Sequence, residues 1–463
     1  MRGALLAPYP DPLSTLEGIS AIARPRFGVV LAAGLSSRML VETGGGSKAP
    51  LRIGGLSLVE RAMLRLLGLE RVIVVVGHDA ETVADIVNRT APSRVQAVLA
   101  ERWVEGNGAS LAAAALHLEG EELFLLVTAD HLFSDGALEA LLEAGRPAVL
   151  VDHAPSAAAW AEGTRVQLHE DRAIAFGKEL GDPSIDCGAF LLPAEIFAAQ
   201  TRAEVEGDRT LSGAVTALAE TCPLEAVPVA PPGWWLDIDT PEDLEGARQV
   251  LRRSLVKRED GPVSRYVNRP LSTRLSMLIS PLRPSPDFLS WLALIVGLLA
   301  AWLLVLGKGV AGGLLVCAGS VLDGMDGEAA RLQIRASASG ALLDGVLDRV
   351  ADTAILAGLA IWAVRSGTSA DVTIGLCAVA IAASILSMAS KDRIKALGMV
   401  PAPEGAIGWL FGGRDGRLLL VTVAALVGRP IAALAVVAAT SGLTLVVRLA
   451  LVRRGQARGV SGT

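Results

Sequence analysis

Cysteine is scarce in this chain: four residues (Cys187, Cys222, Cys317, Cys377), with no Cys-x-x-Cys spacing. That excludes a disulfide framework and a thiolate zinc site, and points to free thiols in a reducing compartment. Strong charge of one sign is also missing. A net charge of −6 gives no polyanion-binding surface, so nucleic acid is not an expected partner. No self-similarity recurs at a solenoid period. The phosphate-binding pattern GxxxxGK[ST] is absent, and no side-chain nucleophile is evident. Residues 1–25 hold a short apolar stretch broken by prolines, which makes no signal peptide, and are expected to form a frayed extension.

What is present is unevenly distributed. The 463 residues are enough for more than one domain. Residues 26–250 read as a mixed cytosolic chain, 251–287 as a basic amphipathic juxtamembrane segment, and 288–463 as a transmembrane domain. The last third carries apolar runs of the length a bilayer span needs, about 20 residues. Inside it lie four carboxylates, Asp323, Asp326, Asp344 and Asp348. A charge at membrane depth costs about 2.5–3.5 kcal/mol. Asp323 and Asp326 are i, i+3, and Asp344 and Asp348 are i, i+4, so each pair shares a helix face. Four facing carboxylates repel unless cations sit between them, and hard oxygen ligands suit Mg²⁺ or Ca²⁺.

The full spacing is Asp323-x-x-Asp326-Gly327-x-x-Ala330-Arg331, eight residues, Gly340, three, Asp344, three, Asp348. It resembles, residue for residue, the signature of the CDP-alcohol phosphotransferases, integral membrane enzymes. The resemblance implies that Asp323, Asp326 and Asp344 hold one or two divalent cations. Asp348 is then a metal ligand or the general base that deprotonates the attacking hydroxyl. Gly327 and Ala330 leave room for the cytidine diphosphate, and Arg331 pairs with phosphate or a carboxylate. Family members are often dimers, which implies a homodimer through the membrane domain.

Nearer the start, the apolar run Phe27–Ala33 predicts a buried strand. It leads into Gly34, Leu35, Ser36, Ser37, Arg38 and Met39, then Gly44–Gly46 and Lys48. Small residues let backbone N–H groups approach phosphate, and Arg38 and Lys48 can neutralise it. Strand and helix patterns then alternate, which predicts an α/β Rossmann-like domain with a mixed, mostly parallel sheet. Ligands gather at the carboxyl ends of such strands. Asp130 follows the run Leu123–Thr128, and Asp237 and Asp239 share one face of a later strand. By spacing alone, Ser110 reads as the N-cap of a helix Leu111–Leu118.

The Leu-Ala-Ala-Gly-x-Ser-x-Arg-Met run followed by Lys48 resembles the signature of sugar-phosphate nucleotidyltransferases, with an insertion at Leu40–Ser47. This implies that Ala33 and Gly34 hold the nucleotide, Arg38 the leaving pyrophosphate and Lys48 the α-phosphate. Gly106, Asn107 and Ser110 line the base pocket, and Lys178 binds a phosphate. Asp186 contacts hydroxyls. Asp130 binds Mg²⁺ with either Asp237 or Asp239 as second acid. His131 reads as a structural neighbour.

Between the halves the chain is basic, with Arg252, Arg253, Lys257, Arg258, Arg265 and Arg269. Leu271, Leu275, Leu278 and Ile279 fall on one helical face, which reads as an amphipathic helix lying on the membrane. Six spans are expected, near 288–306, 310–330, 339–364, 371–390, 415–428 and 430–451, making an all-α six-helix membrane domain. Positive clusters then place the N-terminal domain and C-terminus in the cytoplasm of a multi-pass protein of the cell (inner) membrane. Arg414 and Arg417 read equally as topology charges or as an anionic acceptor's site.

The whole chain resembles bifunctional enzymes that join an inositol-1-phosphate cytidylyltransferase to a CDP-inositol:inositol-phosphate transferase. The resemblance implies CTP and a phosphoalcohol (inositol 1-phosphate) as substrates, a CDP-alcohol intermediate, and Mg²⁺ or Mn²⁺ at both sites. It places the product in compatible-solute biosynthesis. The competing readings are a phospholipid synthase that uses CDP-diacylglycerol, and a non-catalytic membrane scaffold.

Overall fold

The apolar run Phe27–Ala32 is a strand, with Val29 and Leu31 buried on one face and Val30 and Ala32 on the other. Side chains alternate along a strand, so one covered on both faces must be apolar at successive positions. Each fully buried Val or Leu contributes about 1.5–3 kcal/mol relative to exposure. The computed structural model describes residues 24–35, 37–91, 93–118, 120–257, 260–397 and 413–460. The expected extension up to residue 23, Ser36 and Arg258 lie outside the described residues. The chain divides into two compact units, Met1–Ala247 and Arg248–Thr463.

The first unit is built on a nine-stranded sheet. Its order is Val95–Leu99, Arg71–Val76, Phe27–Ala32, Leu123–Thr128, Ile185–Pro193, Ala148–Asp152, Leu224–Pro228, Arg172–Gly177 and Arg165–His169. The first four strands are parallel, with helices Leu58–Arg65 and Ala80–Thr90 in their connections. The expectation of a mostly parallel sheet is corrected beyond them. Strand Ile185–Pro193 runs antiparallel to both its neighbours, Leu123–Thr128 and Ala148–Asp152. Arg165–His169 and Arg172–Gly177 form a hairpin through Glu170 and Asp171, with Glu170 at φ 56°. A two-residue connection can join only antiparallel strands.

The helix expected at Leu111–Leu118 begins and ends earlier, at Asn107–Ala112, followed by a short 3₁₀ turn at Ala115–His117. Gly106 is its N-cap, so Ser110 is not: it lies buried inside the helix, its Oγ 3.4 Å from the Gly106 carbonyl. Thr240, by contrast, caps helix Pro241–Ser254. Its Oγ accepts from the Asp243 N–H at 3.2 Å, and its own N–H donates to Asp243 Oδ2 at 2.9 Å.

The second unit is helical. Arg269–Ile279 precedes Pro286–Val305, Gly309–Leu332, Ala338–Arg365, Ala370–Ala396, Arg414–Leu426 and Pro430–Val460. Four helices among the described residues are long and apolar enough to cross a membrane: Pro286–Val305, Gly309–Leu332, and the segments Ala370–Ile394 and Pro430–Arg453. Ala338–Arg365 has the length, at 28 residues, but carries Asp344, Asp348, Arg349 and Asp352. Arg414–Leu426 has 13 residues, or about 20 Å of helix against about 30 Å of hydrocarbon.

Small residues let these helices approach closely. A Cβ on Gly358 would lie 2.6 Å from the Ala301 carbonyl oxygen, and one on Gly297 3.0 Å from the Ala351 Cβ. The amphipathic helix Arg269–Ile279 does not bury all four of its apolar residues. Leu275 and Ile279 pack with Leu289, Met325 and Ala329, whereas Leu271 and Leu278 are exposed. The four positions form a stripe about 100° wide, whose Leu275 and Ile279 edge meets the neighbouring helices while its Leu271 and Leu278 edge does not.

Candidate functional site

Two groups of carboxylates stand out, one in each unit. In the first unit, strand Leu123–Thr128 runs out at Asp130 and His131. The segment His131–Phe133 then pairs antiparallel with Trp235–Asp237, which sets Asp237 opposite His131. The Ile238 N–H donates to the Asp130 carbonyl at 3.1 Å. Residues far apart in sequence thus meet at one corner. Asp130, His131 and Asp237 offer ligand atoms that all lie within 4.8 Å of one another. Asp237 Oδ1 is buried and accepts no hydrogen bond. An unsatisfied carboxylate oxygen in such a set fits a hard divalent cation.

Asp239 lies just beyond the strand, which ends at Asp237, so the two do not share a strand face as expected. Arg38 Nη1 lies 3.0 Å from Asp239 Oδ2, and Lys48 ion-pairs with Asp239 Oδ1. Lys48 Nζ is also 3.0 Å from Asp130 Oδ2, and Arg38 also pairs with Glu162. The geometry therefore divides the acids: Asp237 joins Asp130, and Asp239 holds the two cations.

Burial opposes every charge at this corner. It would lower the Lys48 ammonium, but Asp130 and Asp239 outweigh it and hold Lys48 above an ordinary lysine. It would raise Asp130, but Lys48 and His131 hold that carboxyl well below the usual range. His131, lowered by burial, is pushed up to about 9 by Asp237 and Asp130. Asp186 is pushed up to about 6, chiefly by burial. Burial also raises Asp237, with Asp130 and Asp239 adding to it against His131.

A cavity of about 770 Å³ opens beside these groups. Asn107, Asp130, Lys178, Asp186, Asp237 and Asp239 are among the residues that line it. Arg38 and Lys48 reach its wall through Asp239 and Asp130. Ala33 and Gly34 follow the first strand, where the Ala33 carbonyl accepts from the His78 N–H at 3.0 Å. Gly106 and Ser110, expected to line the base pocket with Asn107, flank it as N-cap and inner residue of helix Asn107–Ala112 and are not among the residues that line this cavity. Gly106 has φ 134°, and a Cβ there would lie 2.6 Å from the Arg209 carbonyl oxygen. The neighbouring Asn107 Oδ1 accepts from the Leu211 N–H at 2.7 Å.

In the second unit, helix Gly309–Leu332 supplies Asp323 and Asp326, and helix Ala338–Arg365 supplies Asp344 and Asp348. Asp323, Asp344 and Asp348 offer oxygens within 4.8 Å of one another. Asp326 is within hydrogen-bonding reach of Asp344, and Asp323 of Asp348. An all-oxygen set again fits a hard cation such as Mg²⁺. Asp326 accepts from the Ser290 hydroxyl.

Arg414 reaches into this group. Its Nη1 is 2.8 Å from Asp323 Oδ1 and 2.9 Å from Asp348 Oδ1, and its Nε donates to Asp352 Oδ1 at 3.0 Å. Arg417 is 3% exposed and donates to Ser384 Oγ at 2.9 Å. Neither side chain is thus placed as a plain surface charge. A cleft of about 430 Å³ is lined by Asp326, Gly327, Ala330, Arg331, Gly340 and Asp344 among others. Arg331, expected to pair with phosphate or a carboxylate, donates instead to the Leu255 carbonyl at 3.1 Å.

Several members of these groups were not legible beforehand. His131 is drawn in by strand pairing, which leaves no local signal. Asp352 continues the Asp344, Asp348 spacing by one more i, i+4 step, so the helical period could have found it. Glu328, wholly buried, sits inside the motif between Gly327 and Ala329. An acid in so apolar a helix is itself a signal.

Comparison with known proteins places this geometry. Residues 28–256 match the MobA-like NTP transferase domain family, and residues 284–452 match the CDP-alcohol phosphatidyltransferase family. A protein of Rubrobacter xylanophilus called Bifunctional IPC transferase and DIPP synthase is 34% identical over 96% of this chain and 100% of its own length. One of the same name from Thermococcus kodakarensis is 34% identical over 73% of this chain and 76% of its own. The solved inositol-1-phosphate CTP transferase from T. maritima is 22% identical, with a TM-score of 0.44, over 49% of this chain and 95% of its own. A nucleotidyl-transfer domain and a CDP-alcohol phosphotransfer domain in one polypeptide make this chain a transferase, and it belongs to the bifunctional IPC transferase and DIPP synthase family.

Proposed function

We propose that the protein makes a cytidylyl-activated inositol in its first domain and consumes it in its second. In the first step a phosphate oxygen of inositol 1-phosphate attacks the α-phosphorus of CTP, giving CDP-inositol and pyrophosphate. Arg38 receives the leaving pyrophosphate and Lys48 the α-phosphate, charge-assisted contacts that follow the spreading negative charge. Ala33 and Gly34 hold the nucleotide, and Gly106, Asn107 and Ser110 shape the base pocket. Lys178 takes the phosphate of the alcohol and Asp186 its hydroxyls.

In the second step a hydroxyl of a second inositol 1-phosphate attacks the inositol-bearing phosphorus of CDP-inositol, releasing CMP and forming a phosphodiester. Asp348 accepts the proton from that hydroxyl. Gly327 and Ala330 give the nucleotide diphosphate access to the helix, and Arg331 turns from the Leu255 carbonyl toward phosphate. Asp130 and Asp237 would hold Mg²⁺ or Mn²⁺ in the first domain, and Asp323, Asp326, Asp344 and Asp348 in the second. When bound, the cation supplies charge neutralisation at the phosphoryl group.

The domain limits that go with this reading are 26–250, 251–287 and 288–463. Six helices among the described residues, from Pro286 to Val460, belong to the inner-membrane domain, four of them long and apolar enough to span it alone; both termini are cytoplasmic, and the membrane domain dimerises. The observation that carries the proposal is the pair of separate carboxylate groups, each in the domain whose chemistry needs a cation.

The test incubates the purified protein with CTP, Mg²⁺ and a panel of phosphoalcohols, following pyrophosphate and CMP separately. Inositol 1-phosphate should release both. Appearance of inositol label in the lipid phase, not the aqueous phase, would replace this reading with a phospholipid synthase. Asp348→Asn should abolish CMP release and leave pyrophosphate release intact; unchanged CMP release would remove Asp348 from the mechanism.

A further inference from the structure

The buried acid Glu328 has no part in the chemistry above, yet it accepts three hydrogen bonds, two at Oε1 and one at Oε2. Its Oε1 accepts from Arg269 Nη1 and from Ser272 Oγ, each at 2.7 Å, and its Oε2 accepts from Ser276 Oγ at 2.7 Å. Arg269, Ser272 and Ser276 belong to the start of the second unit, read in sequence as a basic juxtamembrane segment. Breaking a buried ion pair leaves an uncompensated charge, so this contact sets the register between the segment and helix Gly309–Leu332.

The bonding continues. Arg269 Nε donates to Asp260 Oδ2 at 2.9 Å, and Asp260 Oδ2 accepts the Lys257 N–H at 2.9 Å. Lys257 lines the cleft that also contains Asp326, Gly327, Arg331 and Asp344. The neighbouring Leu255 carbonyl holds Arg331 on the same helix. A chain of charge-assisted bonds therefore runs from Glu328 through Arg269 and Asp260 to the backbone N–H of Lys257, and it fixes the backbone of a residue that lines the cleft.

We infer that Lys257 contacts the diphosphate of the CDP-linked donor, and that Glu328, Arg269 and Asp260 are positioning residues that hold it there. The inference rests on the cleft being the donor site of the second step. Lys257 faces the cleft from outside the eight-residue signature, so the segment joining the two activities completes the second site. Lys257 brings a point charge and Arg331 a planar fork to the same cleft, a pairing suited to two adjacent phosphates.

The test uses the full-length protein in nanodiscs. Lys257→Ala should weaken CDP binding, measured by calorimetry, about tenfold, as loss of one charge-assisted hydrogen bond implies. The KM for CDP-inositol should rise by a similar factor while the KM for inositol 1-phosphate stays constant. Lys257→Arg should recover most of the loss. Glu328→Gln keeps the shape and frees the ion pair; it should reproduce the KM shift and add little to Lys257→Ala in the double variant. CMP release at saturating CDP-inositol, kept at the wild-type rate, reports correct folding of the second domain in each variant.

CDP affinity unchanged in Lys257→Ala, with CMP still released, overturns the inference. So does a loss seen in anionic nanodiscs and absent from neutral ones, which would assign Lys257 to lipid headgroups. Absence of any CMP release from the wild type would instead overturn the function proposed above.

Discussion

At the scale of single residues, the first domain separates two acids that the sequence leaves equivalent. Asp237 faces Asp130 and His131 with an unpartnered oxygen, while Asp239 is engaged by Arg38 and Lys48. Their replacements should differ in kind. Asp237→Asn should weaken activation by Mg²⁺, raising the concentration needed for half-maximal pyrophosphate release about tenfold or more. Asp239→Asn should leave the Mg²⁺ requirement nearly unchanged and alter the KM for CTP, because it releases the phosphate-binding cations. Equal Mg²⁺ shifts in both variants would reject this division.

Asp186 gives a prediction in pH. Its folded pKa is pushed up to about 6 from 3.8, chiefly by burial. A raised acid binds its proton more tightly when folded, so its contribution is fully favourable below about 4 and is lost as pH rises to 6. Asp186→Asn cannot ionise. Its thermal stability should match the wild type near pH 4 and exceed it above pH 6, with the gap opening between. A gap that is constant with pH would show that burial does not disfavour the carboxylate.

At the scale of elements, the short helix Asn107–Ala112 is set by a glycine that no other residue replaces cheaply. Gly106 has φ 134°, and any Cβ would meet the Arg209 carbonyl at 2.6 Å. Gly106→Ala should therefore cost on the order of 1–3 kcal/mol of stability. It should also raise the KM for CTP, since Asn107 moves with the helix. A melting temperature equal to that of the wild type would show that the loop yields. In the second unit the corresponding constraint is between helices. The two helices that carry the signature aspartates both pack against Pro286–Val305: Gly297 and Gly358 mark its approach to Ala338–Arg365, and Gly312, whose Cβ would lie 3.3 Å from the Ala300 carbonyl oxygen, marks its approach to Gly309–Leu332.

At the scale of the whole molecule, each activity has its own acids, so each should fail alone. Asp130→Asn should lose pyrophosphate release and keep CMP release from supplied CDP-inositol. Asp323→Asn should do the reverse. Mixing the two variants should restore phosphodiester synthesis from CTP, because CDP-inositol can leave one molecule and enter another. Failure of the mixture, with each half-reaction intact, would mean that the intermediate is not released. Chelation of divalent cations should stop both half-reactions.

The sequence by itself determined the two chemistries and most of the elements. The strand Phe27–Ala32 was readable because burial on both faces demands an unbroken apolar run. The eight-residue membrane signature was readable because its members lie on two consecutive helices, where fixed spacing becomes a shared face. The tertiary structure decided what depends on contacts between distant segments. Bringing Asp237, and not Asp239, beside Asp130 and His131 required the pairing of His131–Phe133 with Trp235–Asp237, which no local pattern reports. Ser110 looked like a cap because Ser is a preferred N-cap residue, but the helix starts at Gly106, whose backbone approaches Arg209. Arg269 looked like a membrane-surface charge, and Arg414 equally like a topology charge or part of an anionic acceptor's site. Packing buried them against Glu328 and against Asp323 and Asp348, because a charge removed from water must be paired.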